Sequence, residues 1–278
     1  MQAGRDYIAN GRKAGRDGHI NEDIMIPTLK LIERQLAMSD IRTRLNEKAG
    51  PQPGRYVDAH GIGFGPCLLI SRECGSGSTE LAERIGGELG WNVFDSKIVD
   101  EIAKVAHVHQ RLVQSVDERV HSRWEQIWRE FLLDDLTDKK YLRHLGQVVM
   151  ALGHQGHVVI VGRGAQYLLP PQCALRLRLV ASVEARIHRL METEKISQAQ
   201  ARLKVEEFDS KRASFAWKIF RKDVGSPLNQ DLVLNTGEIS MEGAAKIVLA
   251  ALHEKLGIAI KKQPEVAEEM RERAAAYN

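Results

Sequence analysis

Apolar positions change period several times along the chain, and each change marks an element. Residues 1 to about 24 mix Gly, Arg, Asn and Asp without a period and read as a mobile arm. From Ile26, apolar residues recur near helical spacing through Leu29, Ile32, Leu36 and Ile41. Gly50, Pro51, Pro53 and Gly54 then break the chain and set a linker over 49–60. The run "CLLI" (67–70) is a buried-strand signal, and Leu81, Ile85 and Leu89 behind it stand at i, i+4 and i+8. Gly90 is placed to cap that helix at its C-terminal end. "WNVFD" reads as a second short strand and "SKIVDEIAKVA" as a helix.

A long, mostly polar, helix-favouring stretch follows from His107 to His154, with Trp124, Ile127, Trp128 and Phe131 near helical spacing. "HVVIVGRGA" and "CALRLRLVAS" give two more strands, and a largely helical run extends from Ser182 to Phe220. "DLVLNTG" is a fifth strand, and an amphipathic helix opened by Ser240 ends at Gly257. The tail from Lys261 is charged, and no internal repeat is evident. Strands alternating with helices predict a parallel sheet in an α/β domain.

Composition narrows the partners. The 40 basic and 37 acidic residues leave a net charge of only +3, which gives no general pull toward nucleic acid or membrane. No apolar run approaches the ~18 residues of a membrane span. Cys67, Cys74 and Cys173 show neither metal-ligand spacing nor a CxxC pair, which fits reduced thiols and a cytoplasmic setting. The histidines form no ligand pattern, so none is assigned to a metal. The helix after Ile26 reads as a docking or homodimerisation element rather than a catalytic unit.

The chemistry concentrates in "ISRECGSGSTELAERI". A strand, a glycine turn and a helix are the local build of a phosphate-binding loop, GxxxxGK[ST]. Laid on that pattern, Gly77 is the second glycine, Ser78 stands for the lysine and Thr79 for the hydroxyl, with Arg72 in place of the first glycine. Two positions therefore depart from the pattern. A glycine turn joining strand to helix is the plain alternative on the loop alone.

The wider context is more specific. "ISRECGSGSTELAERIGGELGWNVFDSKIVDEIA", "VVIVGRGAQYLL", "LRLRLVASVEARIHRL", "EEFDSKRASF" and "DLVLNTGEISMEGAAKIV" resemble motifs of the cytidylate-kinase-like family, in order and at similar spacing, over about residues 66–256. That resemblance implies a three-layer α/β/α nucleoside-monophosphate kinase fold with a helical substrate-binding insert (about 107–154) and a lid (about 186–222). The kinase-like domain is then expected over 61–258, between an extension through residue 60 and a tail from 259.

It also implies ATP and Mg²⁺ as cofactors and nucleotides as substrates. Arg72, Gly75, Ser76, Gly77, Ser78 and Thr79 would hold the donor phosphates, with Thr79 on the metal. Arg163, after a buried strand, would hold the acceptor phosphate. The Asp that follows the arginine in cytidylate kinases is Gly164 here. Asp95, at a strand end, falls in the acceptor region, although it reads equally well as an N-cap. Arg186, Asp209 and Arg212 are implied as catalytic lid elements. Arg186 and Arg189 also read as one solvated helix face, and an arginine that precedes the Asp-x-x-Arg element in those kinases falls on Val205. Three functions stay open at this point: a CMP or dCMP kinase, a kinase of a non-nucleotide small molecule, and a nucleotide-sensing module without catalysis.

Overall fold

The computed structural model describes residues 53–104 and 139–259. The expected N-terminal helix, the Trp124–Phe131 stripe, His107, His109 and the charged tail lie outside them. Five strands form one parallel sheet: β3 (Cys67–Arg72), β4 (Asn92–Phe94), β5 (Val158–Val161), β6 (Ala174–Val180) and β7 (Leu232–Asn235). Their order is β4-β5-β3-β6-β7, so β3 lies at the centre. All five expected strands are present.

The pleat sorts β3 between two cores. Cys67 and Leu69 face one cluster with Phe94, Val149 and Ile160, whereas Leu68 and Ile70 face the other with Leu81, Ile85 and Val248. Helices α2 (Ser96–Lys104), α3 (Lys139–Gln155) and the short α4 (Ala165–Leu168) cover the first face. α1 (Ser78–Leu89) and α7 (Met241–Leu256) cover the second, which completes a three-layer α/β/α fold. Leu142, Leu145, Val148, Val149 and Leu152 make α3 a core helix.

The helical run after β6 divides into α5 (Val183–Glu194) and α6 (Gln198–Phe220). Ser197 accepts the Gln200 N–H and Gln200 returns the bond, a capping box that starts α6. α1 and α7 end on Gly90 and Gly257, both in the left-handed region, and Ser240 caps α7 as its sequence suggests. A two-residue hairpin, β1 (Tyr56–Val57) with β2 (Gly63–Phe64), lies within and just beyond the stretch read as a linker. Strands that short leave no period to read. Among the described residues no helix is long and apolar enough to cross a membrane.

The chain leaves β3 toward β4 on one side and leaves β6 toward β7 on the other. In such sheets the crevice at the carboxyl ends of the diverging strands is where ligands bind. The loop 73–77, the turn 162–164 and the start of α5 all meet at that end.

Candidate active site

Gly75 and Gly77 both take φ 80°, which bends the chain back before α1. A Cβ at Gly75 would lie 2.6 Å from the Arg186 carbonyl oxygen, and one at Gly77 2.4 Å from Met241 Cε. The first bond inside α1 runs from the Leu81 N–H to the Gly77 carbonyl at 3.1 Å. The N–H groups of Ser78, Thr79 and Glu80 therefore have no partner within the helix and lie at its positive end. Ser76 is buried and donates its hydroxyl to the Glu73 carbonyl at 2.9 Å, so it shapes the loop rather than lining its mouth. Ser78 opens the helix where a lysine would stand, and Thr79 is exposed beside it.

Cations gather around this loop from three other elements. Arg72, at the end of β3, reaches across to Ser96 Oγ at 3.1 Å. Arg163 Nε lies 3.4 Å from the Ser96 carbonyl, so both guanidiniums flank the start of α2. Burial first, then the charge of Arg212, pulls the Arg72 pKa down to about 9; Asp95 opposes this and Arg163 adds to it. Arg72 thus stays charged at neutral pH and is held close to two like charges. Arg163 pairs with Asp100 of α2, whose other oxygen accepts from the Tyr141 hydroxyl at 2.7 Å. Arg163 has φ 56°, between Gly162 and Gly164 that are also left-handed. Strain of this kind, about 1–3 kcal/mol, persists where the surroundings fix a side chain in place.

The remaining candidates are spread around this opening. Asp95 Oδ1 accepts the N–H groups of Lys97 at 2.9 Å and Ile98 at 2.8 Å, so it caps α2 and also faces Arg72. Arg186 is buried and turned onto the loop backbone, donating to the Cys74 carbonyl at 3.3 Å and the Ala181 carbonyl at 3.0 Å. Arg189, one turn on, is likewise no solvated residue: it donates to the Gly75 carbonyl at 2.9 Å and the Thr236 carbonyl at 2.8 Å. Asp209 accepts the Cys74 N–H at 2.7 Å, and Arg212 rests 3.4 Å from the same carboxylate oxygen. Val205 is buried with Cys74, Ile187, Leu190 and Ala201 in a small core beneath α5 and α6.

Several residues of the site carried no signal of their own in the sequence. Glu73 binds Arg178 at 3.6 Å, Arg186 at 3.5 Å and the Ala181 N–H at 3.2 Å, tying the loop to the end of β6. Ser96, Asp100 and Thr236 are equally hidden; the only hint was Ser96 and Asp100 at i, i+4 on one helix face. Cys74, beside the loop glycines, is no activated thiol: burial raises its pKa despite the opposing charge of Arg212.

Glycine cradle, helix end and surrounding guanidiniums fit a polyphosphate. For Mg²⁺ the protein donors are few, since no cluster of three metal-ligating side chains occurs among the described residues. The exposed Thr79 hydroxyl is the available one. A single hydroxyl with phosphate oxygens suits an ion that keeps several of its waters.

The model of the cytidylate kinase-like family matches residues 68–238, more than half of the chain. A cytidylate kinase of Pyrococcus horikoshii is 26% identical over 186 residues, covering 66% of this chain and 87% of the relative. An uncharacterized protein of Eubacterium ventriosum, of known crystal structure, superimposes with a TM-score of 0.56 at 18% identity. That match covers 68% of this chain and 98% of the other.

Proposed function

Because this chain belongs to the cytidylate kinase-like family, we propose that it transfers a phosphoryl group from ATP, with Mg²⁺, to a nucleoside monophosphate, CMP or dCMP first. The observation that carries this reading is that Arg72, at the end of the strand leading into the glycine turn, has Arg163 and Arg212 within electrostatic reach, while the helix after the turn has no lysine. Phosphoryl transfer asks the protein for position and for cations around the charge spread over the moving group. Arg72 feels the like charges of Arg212 and Arg163 and has no carboxylate in direct contact among the described residues, so a polyanion entering there would relieve their repulsion.

In this reading the loop from Gly75 to Gly77 and the N–H groups of Ser78 and Thr79 hold the donor phosphates. Arg163, fixed by Asp100, holds the acceptor phosphate, and Arg72 stands between the two. Arg212 reaches the transferring group from α6; its long 3.4 Å contact to Asp209 makes it the guanidinium most easily released. Mg²⁺ would be held by Thr79 and supply further charge neutralisation. The catalytic unit is residues 61–258, placed in the cytoplasm, with the extension before it as a docking or homodimerisation element.

One observation favours an acceptor other than a cytidine nucleotide. A Cβ at Gly164 would fall 2.2 Å from Phe220 Cε2, so no side chain can follow Arg163 to read a base from there. A coupled ADP-release assay across nucleoside monophosphates and phosphorylatable metabolites tests both readings. Turnover with CMP or dCMP supports the first, and turnover with a metabolite alone supports the second. Tight ATP binding by folded protein without turnover on any acceptor would overturn both and leave a nucleotide sensor.

A further inference from the structure

The backbone on both sides of the Cys74 Cα is gripped by the two helices after β6. Asp209 of α6 takes its N–H at 2.7 Å, and Arg186 of α5 donates to its carbonyl at 3.3 Å. Arg186 and Asp209 also bind each other, so the grip closes into a ring of two side chains around the N–H and carbonyl of one residue. The Cys74 side chain is buried against Ile187, Leu190, Ala201 and Val205, which belong to the same two helices. These contacts therefore tie the phosphate loop to both α5 and α6. The oxygen of Asp209 that holds the loop amide is also the one that faces Arg212 at 3.4 Å.

We propose that Asp209 is a positioning residue that couples the phosphate loop to Arg212, rather than a group that touches substrate. This deepens the kinase reading above and rests on it for its catalytic consequence. One carboxylate oxygen is shared between a short bond to the loop and a long contact to Arg212, so Arg212 can leave for a phosphate while the loop stays fixed. The other oxygen keeps Arg186 across the loop. The charge of Asp209 is needed for Arg186 and Arg212, whereas any acceptor of the right shape serves the Cys74 N–H. Asparagine and alanine at this position therefore separate the two duties.

The experiment combines steady-state kinetics with amide hydrogen exchange of the peptide spanning 70–80. Asp209→Asn keeps an acceptor for the Cys74 N–H, so exchange of the loop stays within about threefold of wild type while kcat falls about tenfold. Asp209→Ala loses both duties, so loop exchange speeds up at least about tenfold and kcat falls further, to about a hundredth. Action through Arg212 predicts that Asp209→Asn/Arg212→Ala is no slower than Arg212→Ala alone. Additive losses in that double variant, or unchanged loop exchange in Asp209→Ala, would overturn the proposal. If Asp209→Ala does not fold, the asparagine cycle decides. If no acceptor turns over at all, the kinase reading fails and the coupling is read separately: ATP slows exchange of the α6 peptide 205–215 in wild type but not in Asp209→Asn. An equal response in the two proteins refutes it.

Discussion

Arg72→Met separates stability from function at this site. Arg72 has no carboxylate in direct contact among the described residues: it meets Ser96 Oγ at 3.1 Å, with the like charges of Arg212 and Arg163 and the opposite charge of Asp95 within reach. Its pKa is pulled down to about 9, a cost on the order of a few kcal/mol for the charged form. For a cation the sign is that of a cost. The charged side chain burdens the fold fully below about 9, and the burden eases as pH rises from there toward the ordinary arginine range. Methionine fills similar volume without charge, and the lost Ser96 contact removes about 1 kcal/mol of the gain. Local rearrangement around the guanidinium absorbs more, leaving a net stabilisation of about 1–3 kcal/mol, or ~2–10 °C in Tm. Calorimetry of the ligand-free protein at pH 7, repeated with millimolar pyrophosphate, measures it. Wild type should melt lower alone but gain more from the anion, because binding stabilises by an amount set by affinity. The variant should also lose most of its ATP turnover. A ligand-free Tm several degrees below wild type, with the pyrophosphate shift retained, would show that Arg72 is a structural cation and refute the reasoning.

Three further outcomes are expected. Gly77→Val forces a branched side chain into a left-handed backbone 2.4 Å from Met241 Cε, so isothermal titration should show ATP binding lost while circular dichroism shows the fold kept. Arg163→Ala should chiefly raise the acceptor KM, whereas Arg212→Ala should chiefly lower kcat, by about 30- to 1000-fold for ~2–4 kcal/mol of transition-state contact; near-full activity in both would end the idea of relocated charge. Burial by itself raises the Asp231 carboxyl, but Arg176 at 2.7 Å and Lys255 outweigh it and hold it below its ordinary 3.8. Its contribution is then complete above that value and fades as pH falls below it, so Asp231→Asn should melt lower at pH 7 and converge with wild type in acid.

The sequence by itself determined the layers. Each expected strand was a short apolar run between turn residues, and the helix ends at Gly90, Ser240 and Gly257 were written in capping residues beside them. These signals are local, because side-chain period and helix capping reach only a few residues along the chain. The glycine turn after β3 and the arginine after β5 were legible for the same reason: each lies at a strand end that the apolar pattern marks. What the arginines do was decided only by the tertiary structure. Arg186 and Arg189 share a helix face that charge spacing alone assigns to solvent, yet the crossing of α5 over the loop turns both onto loop carbonyls 110 or more residues away. Asp209 meets the Cys74 N–H across 135 positions of chain, and Glu73 meets Ala181 across 108. Contacts at such separations depend on how the sheet orders its strands, which no local pattern encodes. The missing lysine was visible at once in Ser78. Only the fold brings Arg163 and Arg212, from two distant segments, within electrostatic reach of Arg72.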